Sequence, residues 1–167
     1  MIRTTMLLAL VSPAMAQLTD ANVQAAVTAC LLVDPVGGDC PNEAYGSMDT
    51  WDLSLVTNVT GLFRDQTQFA DTSRLANWNL SSVTSTQRMF YGCSSLTDLS
   101  ALAYWNLSST TSTEYMFYGC SSLTDISGLA NWDLSSVTNT GSMFYGCSGL
   151  TDLSALANWD LSSTTSG

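Results

Sequence analysis

The sequence predicts a repeat solenoid: a β-solenoid with short strands and one 3-10 or helical turn in each 27-residue coil. Three observations lead to this fold class. All five tryptophans are spaced 27 residues apart, the phrase MFYGCSSLTD occurs twice and returns as MFYGCSGLTD, and phenylalanine, cysteine and aspartate recur with the same period. Periods of about 20 to 50 residues are typical of solenoids, propellers and arrays. A four-stranded propeller blade needs a longer repeat, so a single solenoid coil fits best.

The first 16 residues are typical of a secretory signal peptide. Arg3 precedes a short apolar run, and Ala14 and Ala16 form an A-x-A cleavage site. Cleavage after Ala16 would make Gln17 the first residue of the mature chain, so we expect a secreted or cell-surface protein. No later stretch approaches the roughly 20 apolar residues of a spanning helix, and we expect no transmembrane segment.

Residues 17–45 fall outside the repeat and are predicted to form an N-terminal capping helix and a disulfide loop. Thr19 or Asp20 is a candidate N-cap, and apolar residues follow at helical spacing: Val23, Ala26, Val27, Cys30 and Leu31. The turn-rich DPVGGDCP then ends the helix. In an oxidising compartment Cys30 and Cys40 are the natural disulfide pair, which would contribute roughly 2 to 3 kcal/mol for so short a loop.

Residues 46–167 are predicted to form about four and a half coils, which bury a continuous core only when they stack. Within one coil we expect short extended segments at 123–129 and 137–140, followed by a tight turn in GSMFYGC. The cysteines of the repeat should form a column of buried thiols, because they lack the C-x-x-C pairs of a convincing metal site. The expected core ladder comprises Trp51, Trp78, Trp105, Trp132, Trp159, Phe63, Phe90, Phe117, Phe144, Cys93, Cys120 and Cys147.

The segment WDLSSVTNTGSMFYGCSGLTDLS resembles the BspA-like leucine-rich-repeat surface proteins, whose coils carry the pattern W-D-x-S-x-V-T-x-M-x-x-M-F-x-x-C-x-x-L. The likeness covers roughly residues 45–167, and Thr86, Thr113 and Thr140 stand where that pattern has Met. The resemblance implies a leucine-rich-repeat solenoid. It also implies a secreted or surface-displayed protein that serves adhesion and protein binding rather than catalysis.

Charge and composition exclude several function classes. The chain has a formal net charge of −10, with four basic residues and no histidine. Such a chain repels nucleic-acid phosphates, whose neutralisation needs Lys and Arg, so we expect no nucleic-acid partner. Without histidine, Ser-His-Asp and Cys-His enzymes are excluded, and we expect no enzyme activity and no cofactor.

Two polar columns follow the same period. Stacked aspartates about 5 Å apart repel one another unless water or a cation lies between them. Calcium could bridge them, but we favour a role in which each caps a local turn in solvent. This column is Asp71, Asp98, Asp125 and Asp152. The position after each tryptophan is either Asp or Asn, which indicates an Asx-turn. Glycosylation sequons lie at Asn58, Asn79 and Asn106.

The expected function is a non-catalytic interaction or adhesion module with an extracellular protein or glycan partner. Tyr91, Tyr118 and Tyr145 are expected at the surface. An alternative is a structural protein that binds itself head-to-tail through an open solenoid end, because NWDLSSTTSG stops part-way through a coil. A weaker alternative is an ice-binding solenoid, based on the T-x-T ranks at 84–86, 111–113 and 138–140, although the third threonine of each rank should face inward.

Overall fold

The computed structural model describes residues 17–166, and the predicted signal peptide at 1–16 lies outside the described residues. The described part of the chain has one α-helix, α1 (Val23–Val33), followed by a series of stacked 27-residue coils. Each coil carries one short 3-10 helix. These are Met48–Thr50, Ser73–Leu75, Ser100–Leu102, Ser127–Leu129 and Ser154–Leu156.

The predicted β-solenoid is wrong. Residues 17–166 contain no strand and no sheet, and neighbouring coils pair only through isolated parallel bridges such as Ser85 to Ser112 and Ser112 to Asn139. The segment predicted to be extended at 123–129 instead ends in a 3-10 helix, and the segment at 137–140 contributes a single bridging residue, Asn139.

Local turns explain why the extended segments do not form. At 123–129, Asp125 Oδ1 accepts the backbone N–H of Ser127 at 2.8 Å and opens the 3-10 helix Ser127–Leu129. At 137–140, Asn139 Oδ1 accepts the backbone N–H of Gly141 at 2.9 Å, and Ser142 follows in the left-handed region with φ of 54°. A strand requires successive residues with extended backbone and negative φ, so neither segment continues as one.

Backbone hydrogen bonds still join the coils along the stack. In residues 86–92 alternate N–H groups donate to the next coil: the N–H of Arg88 donates to the carbonyl of Glu114 at 3.0 Å, and that of Phe90 to the carbonyl of Met116 at 2.9 Å. The intervening N–H of Tyr91 donates back within the turn, to the carbonyl of Arg88. The backbone groups of this turn are thus hydrogen-bonded within the turn and to the next coil, without forming a β-ladder.

The core is a set of aromatic columns that run through the coils. The rings of Trp105 and Trp132 are stacked with their centres 6.1 Å apart. Those of Phe90 and Phe117 are stacked 5.5 Å apart and nearly parallel. From Trp78 onward, each indole also donates a hydrogen bond to a carbonyl 30 residues earlier, as Trp132 Nε1 does to Leu102 at 3.0 Å, whereas Trp51 Nε1 donates to Gly46. Every tryptophan of the predicted ladder is buried except Trp159, and every phenylalanine except Phe144; these two are half-buried.

Helix α1 covers the first coil with the predicted apolar residues, all five of which are buried. Neither predicted N-cap is the cap, since the helix begins after Asn22. Asp20 instead fastens α1 to the first coil: its carboxylate accepts the backbone N–H of Thr57 at 2.8 Å and that of Asn58 at 3.0 Å. These hydrogen bonds, the one from the Thr57 hydroxyl above all, hold the pKa of Asp20 below its ordinary value.

Two covalent and ionic links complete the N-terminal part. Cys30 and Cys40 form a disulfide with their Cα atoms 5.2 Å apart, which is the pair singled out in the sequence. Arg74, on the 3-10 helix of the second coil, forms ion pairs with Asp39 at 2.8 Å and with Asp49 at 3.0 Å. The second coil is thereby tied to the loop that follows α1.

Candidate interaction face

The cysteines of the repeat form a column of separate, buried thiols. Each Sγ lies 3.1 to 3.2 Å from a phenylalanine carbonyl 30 residues earlier, and none is in a disulfide. Burial raises the pKa of Cys93 to about 12 and that of Cys147 to about 11, and it raises the pKa of Cys120 as well. The thiolate is the nucleophilic and metal-binding form, so these side chains are held in their unreactive state.

The aspartate column consists of turn-forming side chains. Asp71, Asp98, Asp125 and Asp152 each accept the backbone N–H two residues later, at 2.6 to 2.8 Å. These bonds open the 3-10 helix of each coil. All four side chains are exposed, and residues 17–166 contain no group of three or more Cys, Asp or Glu side chains placed to hold one metal ion.

The sequon asparagines form turns of the same kind. Oδ1 of Asn58, Asn79 and Asn106 accepts the backbone N–H of the Ser or Thr two residues later, at 2.9 to 3.1 Å. All three residues are exposed. Asp52, Asp133 and Asp160 make the equivalent bond at the position after tryptophan, so the Asp/Asn variation corresponds to one turn geometry.

The threonine ranks do not form a T-x-T surface. Thr86 and Thr113 are fully buried, while Thr84 and Thr111 are exposed. The exposed hydroxyls donate to the carbonyl of the preceding coil, as Thr111 Oγ1 does to Thr84 at 3.1 Å. Only one column of each predicted rank therefore faces water, and its hydroxyl protons are already used within the chain.

A different surface brings together the larger polar aromatic and cationic side chains of the coils. Three tyrosines of equivalent position stack directly: the rings of Tyr91 and Tyr118 are 4.8 Å apart, and those of Tyr118 and Tyr145 are 5.0 Å apart. Tyr115 meets Tyr118 edge-on at 5.8 Å. Arg64 lies over the ring of Tyr91, and Arg88 lies over the ring of Tyr115. We call this surface the Tyr–Arg face, and its members are Arg64, Arg88, Tyr91, Tyr115, Tyr118 and Tyr145.

The cations of the Tyr–Arg face are held by the aromatic rings. The guanidinium carbon of Arg64 lies 5.3 Å from the centre of the Tyr91 ring, and that of Arg88 lies 4.8 Å from the centre of the Tyr115 ring. Such cation–π contacts contribute about 0.5 to 1 kcal/mol at exposed sites. Arg64 also reaches the exposed carboxylate of Asp65, with Nε 3.2 Å from Oδ2. A shallow depression of about 250 Å³ lies among these side chains.

Two members of the face are placed against the preference of their backbone. Arg88 and Tyr115 have φ of 53° and 57°, and the same position in neighbouring coils is Gly61 with φ 68° and Ser142 with φ 54°. A residue with a Cβ in the left-handed region costs roughly 1 kcal/mol relative to glycine. Glycine would be less strained at this position, and two coils carry a large side chain there instead.

The neighbouring tyrosines affect the pKa of Tyr118, the middle residue of the column. The pKa of Tyr118 is raised, mainly by partial desolvation and further by Tyr91, Tyr145 and Tyr115, whose phenolate charges would repel its own. Tyr118 therefore presents a neutral phenol, which both donates and accepts hydrogen bonds. The sequence predicted the stacked tyrosines at the surface but gave no indication of Arg64, Arg88 and Tyr115. Each arginine contacts a tyrosine of the next coil, and such contacts depend on how the coils stack.

Stacked 27-residue coils with a shared aromatic core and one face rich in Tyr and Arg define a repeat protein. The chain belongs to the family described as "Mycoplasma protein of unknown function, DUF285", whose model matches residues 39–159. That match begins just before Cys40 and spans the coils. The chain matches no curated protein and no solved structure at a significant level. Of the helices in residues 17–166, none has the length and apolar character needed to cross a bilayer.

Proposed function

We propose that this protein is a secreted or cell-surface interaction module, of the BspA-like leucine-rich-repeat kind, that binds an extracellular partner through its Tyr–Arg face and catalyses no reaction. The observation that carries the proposal is the retention of Arg88 and Tyr115 at left-handed positions. Strain that persists beside a surface cluster is characteristic of functional sites.

The composition of the face supports a role in recognition. Tyr and Arg are enriched at protein interfaces and dominate their binding free energy, because each combines a large contact area with directional hydrogen bonding. The stacking fixes the side chains before a partner arrives. Fewer rotamers are then lost on binding, which favours affinity.

The rest of the described surface argues for binding rather than catalysis. The three unpaired thiols are buried and protonated, and the aspartates already accept backbone N–H groups. The chain has no histidine to act as a general base. The predicted signal peptide at 1–16 favours a protein that acts outside the cell.

A binding screen on arrayed extracellular proteins and arrayed glycans tests the proposal. We expect saturable binding to at least one arrayed ligand, and its loss in a double variant, Arg88→Gly with Tyr115→Ser, which copies Gly61 and Ser142. The matched control is Tyr104→Asn: Tyr104 is 92% exposed, lies outside the face, and aligns with asparagines in neighbouring coils.

Two results would overturn the proposal: no saturable binding on either array, or binding that the double variant leaves unchanged. Light scattering on the same samples gives a second check. If the protein self-associates, its apparent mass will rise with concentration. Binding by the face variants would then be compared with that of the unchanged protein in the same oligomeric state.

A further inference from the structure

We infer that the Tyr–Arg face binds a linear polysaccharide that carries carboxylates, with one carboxylate held by Arg64 and Arg88. The inference rests on the proposed function for the location of the binding face. It goes further in naming the chemistry of the ligand.

The stacking pattern determines which groups a ligand meets. The face of Tyr91 on one side is covered by Tyr118 at 4.8 Å and on the other by Arg64 at 5.3 Å, and Arg88 covers Tyr115 at 4.8 Å. These rings are therefore closed to a sugar that stacks flat on an aromatic face. What remains available is a row of phenol hydroxyls and guanidinium N–H groups, which are hydrogen-bond donors. A ligand rich in oxygen acceptors suits this surface better than an apolar one.

The charges favour an anion at one end of the row. Residues 17–166 contain three arginines and no lysine, and Arg74 is committed to two aspartates. Arg64 gives Nε to Asp65, while its terminal nitrogens and the whole guanidinium of Arg88 make no hydrogen bond within the described residues. Guanidinium groups bind carboxylates through paired N–H donors. Of the three arginines in residues 17–166, the two whose guanidinium N–H groups remain available to a ligand therefore line the same depression.

The size of the depression limits the bound group. Drug-sized ligands occupy pockets of about 300 to 1,000 Å³. The depression among Arg64, Arg88 and the three adjacent tyrosines is about 250 Å³. It suits one sugar ring with its carboxylate rather than a folded partner's side-chain cluster, and the tyrosine column continues from it along the stack.

The spacing of the column favours a polysaccharide over an acidic peptide. Successive phenols are separated by one coil, and their rings are 4.8 and 5.0 Å apart. In an extended peptide, side chains on one face recur about every 6.8 Å, twice the rise per residue. That period falls out of step with the phenols within two coils. One pyranose ring of a linear polysaccharide advances by close to one coil, so its hydroxyls meet successive phenols.

Titration of the full protein with a tetramer of galacturonic acid, followed by calorimetry in EDTA, tests the inference. The matched neutral ligand is the fully methyl-esterified tetramer, and hexaglutamate is the acidic peptide. We expect the acid tetramer to bind at least about tenfold more tightly than its ester, the effect of one charge-assisted hydrogen bond. Sodium chloride should weaken binding of the acid, since exposed charges are screened.

Three variants locate the binding site. Arg88→Gly should raise the Kd by at least about tenfold while preserving the fold, because Gly61 occupies the same position. Tyr118→Phe removes only the hydroxyl and should weaken binding with no change in melting temperature beyond about 2 °C. Tyr104→Asn should bind as the unchanged protein does.

The outcomes separate this inference from the proposed function. Equal binding of acid and ester, unchanged binding in Arg88→Gly, or hexaglutamate binding as tightly as the acid tetramer would each overturn the polysaccharide assignment. If arrayed proteins bind through the face and the tetramer does not, the ligand class is wrong and the interaction module stands. If no arrayed ligand and no tetramer bind, both are wrong.

Discussion

The substitution Trp132→Ala removes an indole from the middle of the tryptophan column. Trp132 is 4% exposed and stacks on Trp105 at 6.1 Å and on Trp159 at 6.4 Å. Its Nε1 donates to the carbonyl of Leu102 at 3.0 Å, which links one coil to the 3-10 helix of the coil before it. The change therefore affects packing within the core and hydrogen bonding between coils.

Removal of such a side chain costs about 3 to 5 kcal/mol when the surrounding column cannot collapse into the cavity. Loss of the indole N–H leaves the Leu102 carbonyl without that partner, a further cost of about 1 kcal/mol that places the total near the upper end. The whole protein is expected to have about 5 to 15 kcal/mol of stability. The substitution would therefore remove roughly a third or more of the stability.

Urea denaturation followed by the fluorescence of the remaining indoles measures the effect. A second variant, Trp132→Phe, keeps a stacked ring and removes the donor, so it should lie between the alanine variant and the unchanged protein. Tyr104→Asn, at an exposed position where neighbouring coils have Asn77 and Asn131, should change stability by less than about 0.5 kcal/mol.

A loss below about 1 kcal/mol for Trp132→Ala, with an unchanged dependence on urea, would refute the reasoning. It would mean that the tryptophan column contributes little to the stability of the stacked coils. An equal loss in the phenylalanine and alanine variants would instead assign the whole effect to the hydrogen bond.

Four further predictions follow. Thr113→Val should stabilise the protein by about 1 kcal/mol in urea melts, because the buried Thr113 hydroxyl has no hydrogen-bond partner; a loss of stability would refute this, and Thr86→Val, which removes a bonded hydroxyl, is the control. Stability should fall as pH rises from about 8.5 towards 11, since thiols ionise there in the unfolded chain while burial raises the pKa of Cys147 to about 11 and that of Cys93 to about 12 in the folded one. The slope is about 1.4 kcal/mol per thiol per pH unit. A triple Cys→Ala variant should lose this slope, measured by melts at pH 7 and 10. Calcium should raise the melting temperature no more than sodium at equal ionic strength, because Asp125 already binds a backbone N–H; a calcium-specific shift that Asp125→Asn reduces would contradict this. Asp133→Asn should be nearly neutral and Asp133→Ala should lose about 0.5 to 1 kcal/mol, as only the first keeps the turn acceptor.

The period of the chain could be predicted from the sequence because packing repeats with it. A buried side chain such as Phe90 stacks on the equivalent side chain one coil away. A strict 27-residue spacing therefore predicts a column of side chains, independent of the backbone conformation between them. The helix at Val23–Val33 was predictable for a related reason, since its buried residues fall on one face. Both predictions depend on periodicity alone.

The backbone of each coil could not be predicted in the same way. The left-handed residues that shape the tight turn of each coil include Arg88 and Tyr115, residue types that rarely adopt that conformation and give no signal of it. The clue lies in comparing coils, because Gly61 occupies the equivalent position. Asp20 was misplaced as a helix cap because its true partners, Thr57 and Asn58, are distant in sequence.

The indole hydrogen bond has a consequence for how a gene of this kind can change. Each bond from a tryptophan to a carbonyl spans 30 residues, from Trp78 to Met48 through Trp159 to Leu129. Insertion or loss of a whole 27-residue unit leaves every such pairing intact, whereas a single-codon deletion shifts one partner and breaks it. Length can therefore change by whole coils while the cross-section stays constant, which gives selection a means to lengthen the Tyr–Arg face without redesigning it.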